Sequence, residues 1–244
     1  MTEAPQVSVI LPTYNEADNI LDLVDAIDDA LADLTHEIIV VDDDSPDGTW
    51  KLVASRIAAA GDDRLQLIHR TADRGLTQSL VAGVRAARGG YVAWMDCDFS
   101  MPPEKLPELI GKLDRWDIAV GSRFVGGGQD ARDPNPVRRW ASVAITQLAR
   151  LVLIRSFRDY TSGFIALRRS VLDTVRLHGN YGEYFIAFIF NASRAGYRIV
   201  EVPYSLGPRR AGQSKTDDAF LRFGSLYLTT IIKLRMQAML GRRR

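Results

Sequence analysis

Five short apolar or β-branched runs punctuate the first half of the chain: Val7–Leu11, Glu37–Val41, Leu65–His69, Tyr91–Met95 and Ile118–Gly121. Each has the length of a strand, and none shows the strict alternation of a sheet with one wet face. Segments of helical periodicity separate them: Ala17–Leu34, Asp47–Ala60, Leu76–Arg88 and Pro103–Arg115. Strands alternating with helices predict βαβ units, hence an α/β fold with a mostly parallel sheet. After Gly121 the rhythm changes. Gly126–Pro136 (GGGQDARDPNP) predicts an exposed loop, and Val137–Ile154 a long helix with basic ends. Phe164–Leu167 and Ile199–Val202 predict strands, Glu183–Arg194 a helix stopped by Gly196, and Phe220–Leu240 a last helix.

Composition narrows the class. The 244 residues, 46% hydrophobic and 25% charged, can bury the full core of one large globular domain. The net charge of +1 conceals a division: residues 1–122 carry 10 Lys+Arg against 22 Asp+Glu, and residues 123–244 carry 21 against 8. A basic second half points to an anionic partner such as nucleic acid or a membrane surface. The single cysteine, Cys97, forms no intrachain disulfide and suits a reducing compartment. MTEAPQVSVI lacks the basic and apolar regions of a signal peptide, and no run of about 18 uncharged apolar residues predicts a spanning helix. These features predict a cytoplasmic location. Phe220–Leu240 carries only cationic charges and is followed by Arg242, Arg243 and Arg244, the pattern of a helix lying in an anionic interface.

The candidate chemistry clusters at strand ends. Asp96-Cys97-Asp98 follows the run Tyr91–Met95, and Pro102-Pro103-Glu104 begins the next helix. In an open α/β sheet, ligands bind outside the carboxyl ends of the strands. Two hard oxygen donors there suit Mg²⁺ or Mn²⁺ bridging to a substrate phosphate; a solvated acidic loop is the alternative. The first strand ends in Pro12-Thr13-Tyr14-Asn15-Glu16, where Pro12 marks the strand end and Tyr14 offers a flat face to a base. There, too, a plain turn with Asn15 as helix cap accounts for the residues. The second strand ends in Asp42-Asp43-Asp44, whose mutual repulsion demands a cation or several donors. Asp47 is the expected helix cap. No G-x-G-x-x-G and no G-x-x-x-x-G-K-[ST] occurs, which disfavours dinucleotide and P-loop sites. His36, His69 and His178 are scattered and predict packing or surface roles. Arg123 and Arg209 end strand-like runs beside the expected site, where an arginine fork can bind phosphate; a solvated basic surface is the alternative.

In this order the segments VSVILPTYNE, EIIVVDDDSPDGTW, RGLTQSL, MDCDFSMPPE, VGSRF, DYTSGF, EVPYSLGPRR and GQSK resemble the inverting family 2 glycosyltransferases of GT-A fold. More narrowly they resemble the polyprenyl-phosphate (dolichyl-phosphate) mannosyltransferases. The resemblance runs from Val7 to about Lys215. It implies a Rossmann-like GT-A catalytic domain over residues 1–215, with a nucleotide-sugar part at 1–122, an acceptor part at 123–215, and an amphipathic extension at 216–244. It implies that Pro12, Tyr14, Glu16, Val41, Asp43 and Asp96 hold the nucleotide sugar, with GDP-mannose the preferred donor. Asp96 and Asp98, with Ser100 as a weak third ligand where relatives often carry Gln, would hold the metal; Asp98 also counts among the catalytic residues. Arg123, Arg138, Arg209 and Lys215 are assigned to phosphates of acceptor and donor. The implied partners are a polyprenyl or dolichyl phosphate, the cytoplasmic membrane surface and, as in some short relatives, a separate anchor protein, with no nucleic acid. Transfer to a hydroxyl or glycan acceptor, use of another donor such as UDP-glucose, a non-catalytic nucleotide-sugar-binding or scaffold subunit, and a receiver-like signalling domain are the competing readings. The last expects a chain of roughly 100–150 residues.

Overall fold

The computed structural model describes residues 4–61, 63–131, 136–211 and 220–240, with side chains described outside 136–142 and 220–224. Nine strands and eight α-helices are found among them. The strands are β1 (Val7–Thr13), β2 (His36–Asp42), β3 (Leu65–His69), β4 (Tyr91–Trp94), β5 (Ile118–Ser122), β6 (Gln129–Asp130), β7 (Ile165–Arg168), β8 (Ile199–Pro203) and β9 (Ser205–Leu206). The helices are α1 (Ile20–Ala30), α2 (Thr49–Ala60), α3 (Leu76–Ala86), α4 (Leu106–Lys112), α5 (Pro136–Val152), α6 (Ser170–Thr174), α7 (Glu183–Arg194) and α8 (Phe220–Leu240).

Seven strands form one sheet in the order β3-β2-β1-β4-β7-β5-β8, parallel except for β7, which runs antiparallel to both neighbours. Both faces are covered, which explains the unbroken apolar runs. Ile10, Ile39, Val41 and Trp94 point into one core with α3, α5, α7 and α8. Val9, Leu11, Ile38, Val40 and Ala93 point into the other with α1, α2 and α4. In α1 the buried positions Ile20, Leu23, Val24 and Ile27 fall at helical spacing and form the buried stripe. Gly83 lets α3 approach β1: a Cβ there would lie 2.4 Å from Ile10 Cγ2.

Among the boundaries that differ from the sequence expectation, three do so for a clear local reason. β1 continues through Pro12, which pairs with Val41 of β2. The Pro12 carbonyl accepts from Cys97 Sγ at 3.5 Å, on the flank beyond the last β1–β4 pair, Ile10 with Trp94. The missing N–H therefore falls where no strand asks for it. The segment from Pro103 breaks into a 3₁₀ turn at Pro103–Lys105 and the short α4, because Pro107 has no N–H to return to Pro103. α1 begins three residues late, since Asn15 takes φ +57 and the Ala17 N–H is drawn to Asp47 Oδ2 at 3.0 Å. Within the predicted glycine loop, β6 pairs with β9 in a separate two-stranded sheet.

Candidate active site

β1 lies at the topological switch point, with β2 on one side and β4 on the other. Beyond the carboxyl ends of these strands opens a cavity of about 400 Å³. That volume suits a small molecule of cofactor size, for which sites run about 300–1,000 Å³. Its wall carries Pro12, Tyr14, Glu16, Asp43, Asp96, Asp98 and Arg209, seven residues singled out in the sequence.

The β2 end resolves the problem of three adjacent carboxylates by giving each its own donors. Asp42, fully buried, accepts from Thr13 Oγ1 at 3.0 Å, from Ser45 Oγ at 2.6 Å and from Ser45 N at 2.9 Å. Asp43 accepts from Arg70 Nη1 at 2.7 Å, Ser79 Oγ at 2.9 Å and Gly75 N at 2.7 Å. Asp44, at φ +59, pairs with His69 at 2.9 Å and with Arg74. His69 in turn stacks on Trp50 at 4.3 Å between ring centroids. Asp47, the expected cap of α2, accepts from Thr49 N at 2.9 Å and Thr49 Oγ1 at 2.6 Å, but the cap position itself is held by Gly48 at φ +86, one residue further on.

The β4 end is built differently. Asp96 is exposed to the cavity, whereas Asp98 is 1% exposed. Asp98 Oδ1 accepts from Ser100 N at 3.0 Å. Asp98 Oδ2 lies 2.9 Å from Arg209 Nη1 as an ion pair, but no donor among the described residues reaches it in hydrogen-bonding geometry. A buried carboxylate oxygen left without a hydrogen bond is costly unless something else uses it. Its chemistry fits a hard divalent cation. Among the described residues no three His, Cys, Asp or Glu side chains are grouped to hold a metal. Two carboxylates instead fit a cation that completes its shell with water and phosphate oxygens, as Mg²⁺ and Mn²⁺ do. Ser100, 4% exposed, is absent from the cavity wall and bonds through its main chain, to Asp98 and to Gly207 N at 2.9 Å. It orients Asp98.

Other expected residues lie elsewhere. Val41 is fully buried in the core beside Ile39 and Leu80, so its side chain does not reach the cavity. Arg123 is 5% exposed, and its guanidinium is engaged by Asp159, with Nη2 to Oδ1 at 2.6 Å and Nε to Oδ2 at 2.9 Å. Thr161 Oγ1 at 2.6 Å and Asp130 at 3.5 Å complete the set. Burial alone would lower the affinity of Arg123 for its proton; the charge and hydrogen bonds of Asp159 outweigh that and hold the guanidinium more firmly protonated than usual. Arg123 therefore stands behind the site, in a closed ion pair. Arg138 falls in the first turn of α5, where side chains are not described, and Lys215 lies outside the described residues.

The cavity wall also contains Arg74, Gly75, Leu76, Ser79, Asn180 and Tyr181, to which the sequence reading gave no role. For the first four a signal existed in the segment RGLTQSL. Its meaning becomes visible only when Asp43 is seen to accept from the Gly75 N–H and the Ser79 hydroxyl. Gly75 carries φ +140, a conformation L side chains rarely adopt, and it delivers that N–H at the start of α3. Asn180 and Tyr181 come from a loop whose N–H groups are held by Glu183 at 2.8 and 3.0 Å. α7, which that loop precedes, is tied to β4 by the Trp94 Nε1–H donating to Tyr184 Oη at 2.9 Å.

An open, mostly parallel sheet with a cavity at its switch point and a D-x-D pair at the rim defines a GT-A-like α/β protein. The chain belongs to glycosyl transferase family 2, whose sequence profile matches residues 8–176; it is a glycosyltransferase. It is 38% identical over 213 residues to a dolichol-phosphate mannosyltransferase of Pyrococcus furiosus, a match covering 86% of this chain and 59% of that protein. It is 36% identical to a polyprenol monophosphomannose synthase of Mycolicibacterium smegmatis, covering 88% of this chain and 82% of the other. With an undecaprenyl-phosphate mannosyltransferase of Micrococcus luteus it shares 35%, over 86% and 87%. The chain thus spans less than two thirds of the length of the Pyrococcus protein, but most of the other two. In fold it is similar to glucosyl-3-phosphoglycerate synthase of Mycobacterium tuberculosis, solved in complex with Mn²⁺, UDP and glucosyl-3-phosphoglycerate. The TM-score is 0.70 at 22% identity, over 94% of this chain and 80% of that one.

Proposed function

We propose that the protein transfers a hexose, mannose from GDP-mannose, to a polyprenyl or dolichyl phosphate at a membrane surface, with inversion at the anomeric carbon. The observation that carries this reading is the presence on one cavity wall of the Asp96 and Asp98 carboxylates and the Arg209 guanidinium, which pairs with Asp98. The names of the curated relatives support the lipid-phosphate acceptor and the mannosyl group.

Tyr14 and Glu16 at the β1 end and Asp43 at the β2 end face the nucleotide. Asp43 does so as a carboxylate already aligned by Arg70, Gly75 and Ser79, so little rotamer freedom is lost on binding. Asp96 and Asp98 would hold Mg²⁺ or Mn²⁺, which supplies neutralisation of the charge that develops on the leaving diphosphate. Arg209, with Arg138 and Lys215, orients the acceptor phosphate in line with the anomeric carbon, where orientation supplies much of the rate. A phosphate monoester is largely dianionic at neutral pH, since its second pKa is about 6. It attacks without a general base, in keeping with histidines committed elsewhere: His36 to Asp28 and His69 to Asp44.

The membrane surface is approached by α8. Ile231 and Leu234 bury one side of it in the core, while Leu228, Ile232, Met236, Met239 and Leu240 remain exposed on others. Among the described residues no helix is long and apolar enough to cross a membrane. A helix with an apolar exposed face and basic flanks lies in the interface, and a separate anchor protein is the alternative occupant of that face.

The deciding experiment offers radiolabelled GDP-mannose, GDP-glucose and UDP-glucose with mixed polyprenyl phosphates and scores label in the organic phase. Label from GDP-mannose that is lost in chelator is the expected result. Transfer to a neutral sugar acceptor with no label in lipid overturns the reading.

A further inference from the structure

Asp98 is a buried carboxylate, and no hydrogen bond in the described structure reaches its Oδ2. Such a group needs a cation near it in every state of the protein, because burial of an uncompensated charge is strongly unfavourable. In the structure that cation is Arg209, whose Nη1 sits 2.9 Å from Oδ2. The side chain of Arg209 is 33% exposed, so it has room to leave.

The strap that carries it does not. Gly207 N donates to Ser100 O at 2.9 Å, and Arg210 N donates to Asp98 O at 3.0 Å. The Arg210 side chain pairs with Asp22 at 2.8 Å and lies 5.0 Å from the Phe99 ring centre. Asn19 Nδ2 donates to Ala211 O at 3.3 Å. Residues on both sides of Arg209 are thus fastened to the β4 end and to the start of α1, and Arg209 reaches Asp98 by its side chain alone.

Resting on the function proposed above, we infer that Arg209 is an internal counter-ion of the metal site. It neutralises Asp98 until a divalent cation takes Oδ2, is displaced by rotation of its side chain over a fixed strap, and only then meets the acceptor phosphate. A divalent cation on Oδ2 brings like charge to within contact distance of the Arg209 guanidinium, and that repulsion favours withdrawal of the half-exposed side chain. Two consequences follow by linkage. Arg209 weakens metal binding, and bound metal strengthens phosphate binding by freeing Arg209. The order of assembly is therefore metal and donor first, lipid phosphate second.

The test titrates Mn²⁺ alone, without nucleotide, into the full chain and follows the free Mn²⁺ signal by electron paramagnetic resonance. Arg209→Gln should bind Mn²⁺ roughly three- to ten-fold more tightly than wild type, the scale of one half-exposed ion pair. Arg209→Lys, which keeps the charge, should stay near wild type, and Asp98→Asn should lose the site. Equal or weaker Mn²⁺ binding by Arg209→Gln, with Asp98→Asn impaired, overturns the counter-ion role while leaving the metal site standing. Unchanged binding by Asp98→Asn overturns the metal reading and this inference together. A second measurement needs no variant: modification of Arg209 by an arginine-specific dicarbonyl, read by peptide mass spectrometry, should rise when Mn²⁺ is added. Labelling indifferent to Mn²⁺ overturns the displacement.

Discussion

Two arginine–aspartate pairs sit beyond the carboxyl ends of β5 and β4, strands that β7 separates, and they are built to opposite designs. At the end of β5, Arg123 and Asp159 have side chains 2% and 0% exposed, and Asp159 accepts from Arg123 N, Nε and Nη2. Beyond β4, Asp98 is equally buried but Arg209 is 33% exposed, and their contact is an ion pair without a hydrogen bond. The first pair is closed: each charge is matched and directional bonds consume the donors. The second is open: a buried acceptor is neutralised by a partner that can leave. A closed pair holds chain segments together, whereas an open one leaves a charge available to a ligand.

The largest expected effect comes from breaking the closed pair. Asp159→Ala leaves the Arg123 guanidinium buried without its partner, and the expected loss is about 3–5 kcal/mol of stability. Arg209→Ala, by contrast, leaves Asp98 beside an open cavity that admits water and cations, so its cost should be smaller than that of Asp159→Ala and should shrink further when Mn²⁺ is added. Urea denaturation of both variants checks the contrast, and equal losses would dissolve it. Next comes the open pair's chemistry. Asp96→Asn and Asp98→Asn keep the shape of each side chain and should each lower turnover roughly 10²–10³-fold while leaving the unfolding midpoint near wild type. Parallel activity and denaturation series decide this, and a midpoint that falls with turnover would make Asp98 structural.

A third carboxylate sharpens the distinction. Glu37, 1% exposed, accepts from Ser8 Oγ at 2.6 Å and from Arg88 N and Nε at 2.7 Å each. Burial pushes its pKa up, but these hydrogen bonds and the Arg88 charge prevail and leave it below the usual carboxylate value of 4.5. Its stabilising contribution is therefore complete above about pH 4.5 and is lost as pH falls through the lowered folded-state value. Glu37→Gln should cost about 1.5–3 kcal/mol near neutrality and flatten the acid limb of a stability–pH curve. An acid limb identical to wild type would exclude the linkage. The smallest stability effect belongs to the exposed face of α8. The double substitution Ile232→Ser, Met236→Ser should leave stability within about 0.5 kcal/mol while weakening flotation with anionic vesicles at low salt. Unaltered flotation would point away from this face as the contact with lipid.

Much of this architecture was legible in the chain. Leu65–His69 and Glu183–Arg194 occupy the predicted spans, and the other main strands differ from theirs by one or two residues. A strand buried on both faces must be apolar throughout, so its identity is written locally. The carboxylate clusters were equally visible, since burial of Asp42 or Asp98 at a strand end has no reason in local propensity. Arg123 and Arg209 were indistinguishable: each is an arginine following a strand-like run in the basic half.

The chain by itself determined the strands, their helices, the acidic strand ends and the membership in family 2, because each is a pattern of neighbouring residues. Only the tertiary structure decided which arginine is closed and which is open. Asp159 is 36 residues from Arg123 in sequence, and no local pattern couples partners so far apart. The same reason kept β7's reversed insertion between β4 and β5, the pairing of β6 with β9, and the Gly75 and Ser79 contacts to Asp43 out of reach. Strand register and ion pairing over such separations are chosen by the packing of the whole core, after the local elements have formed.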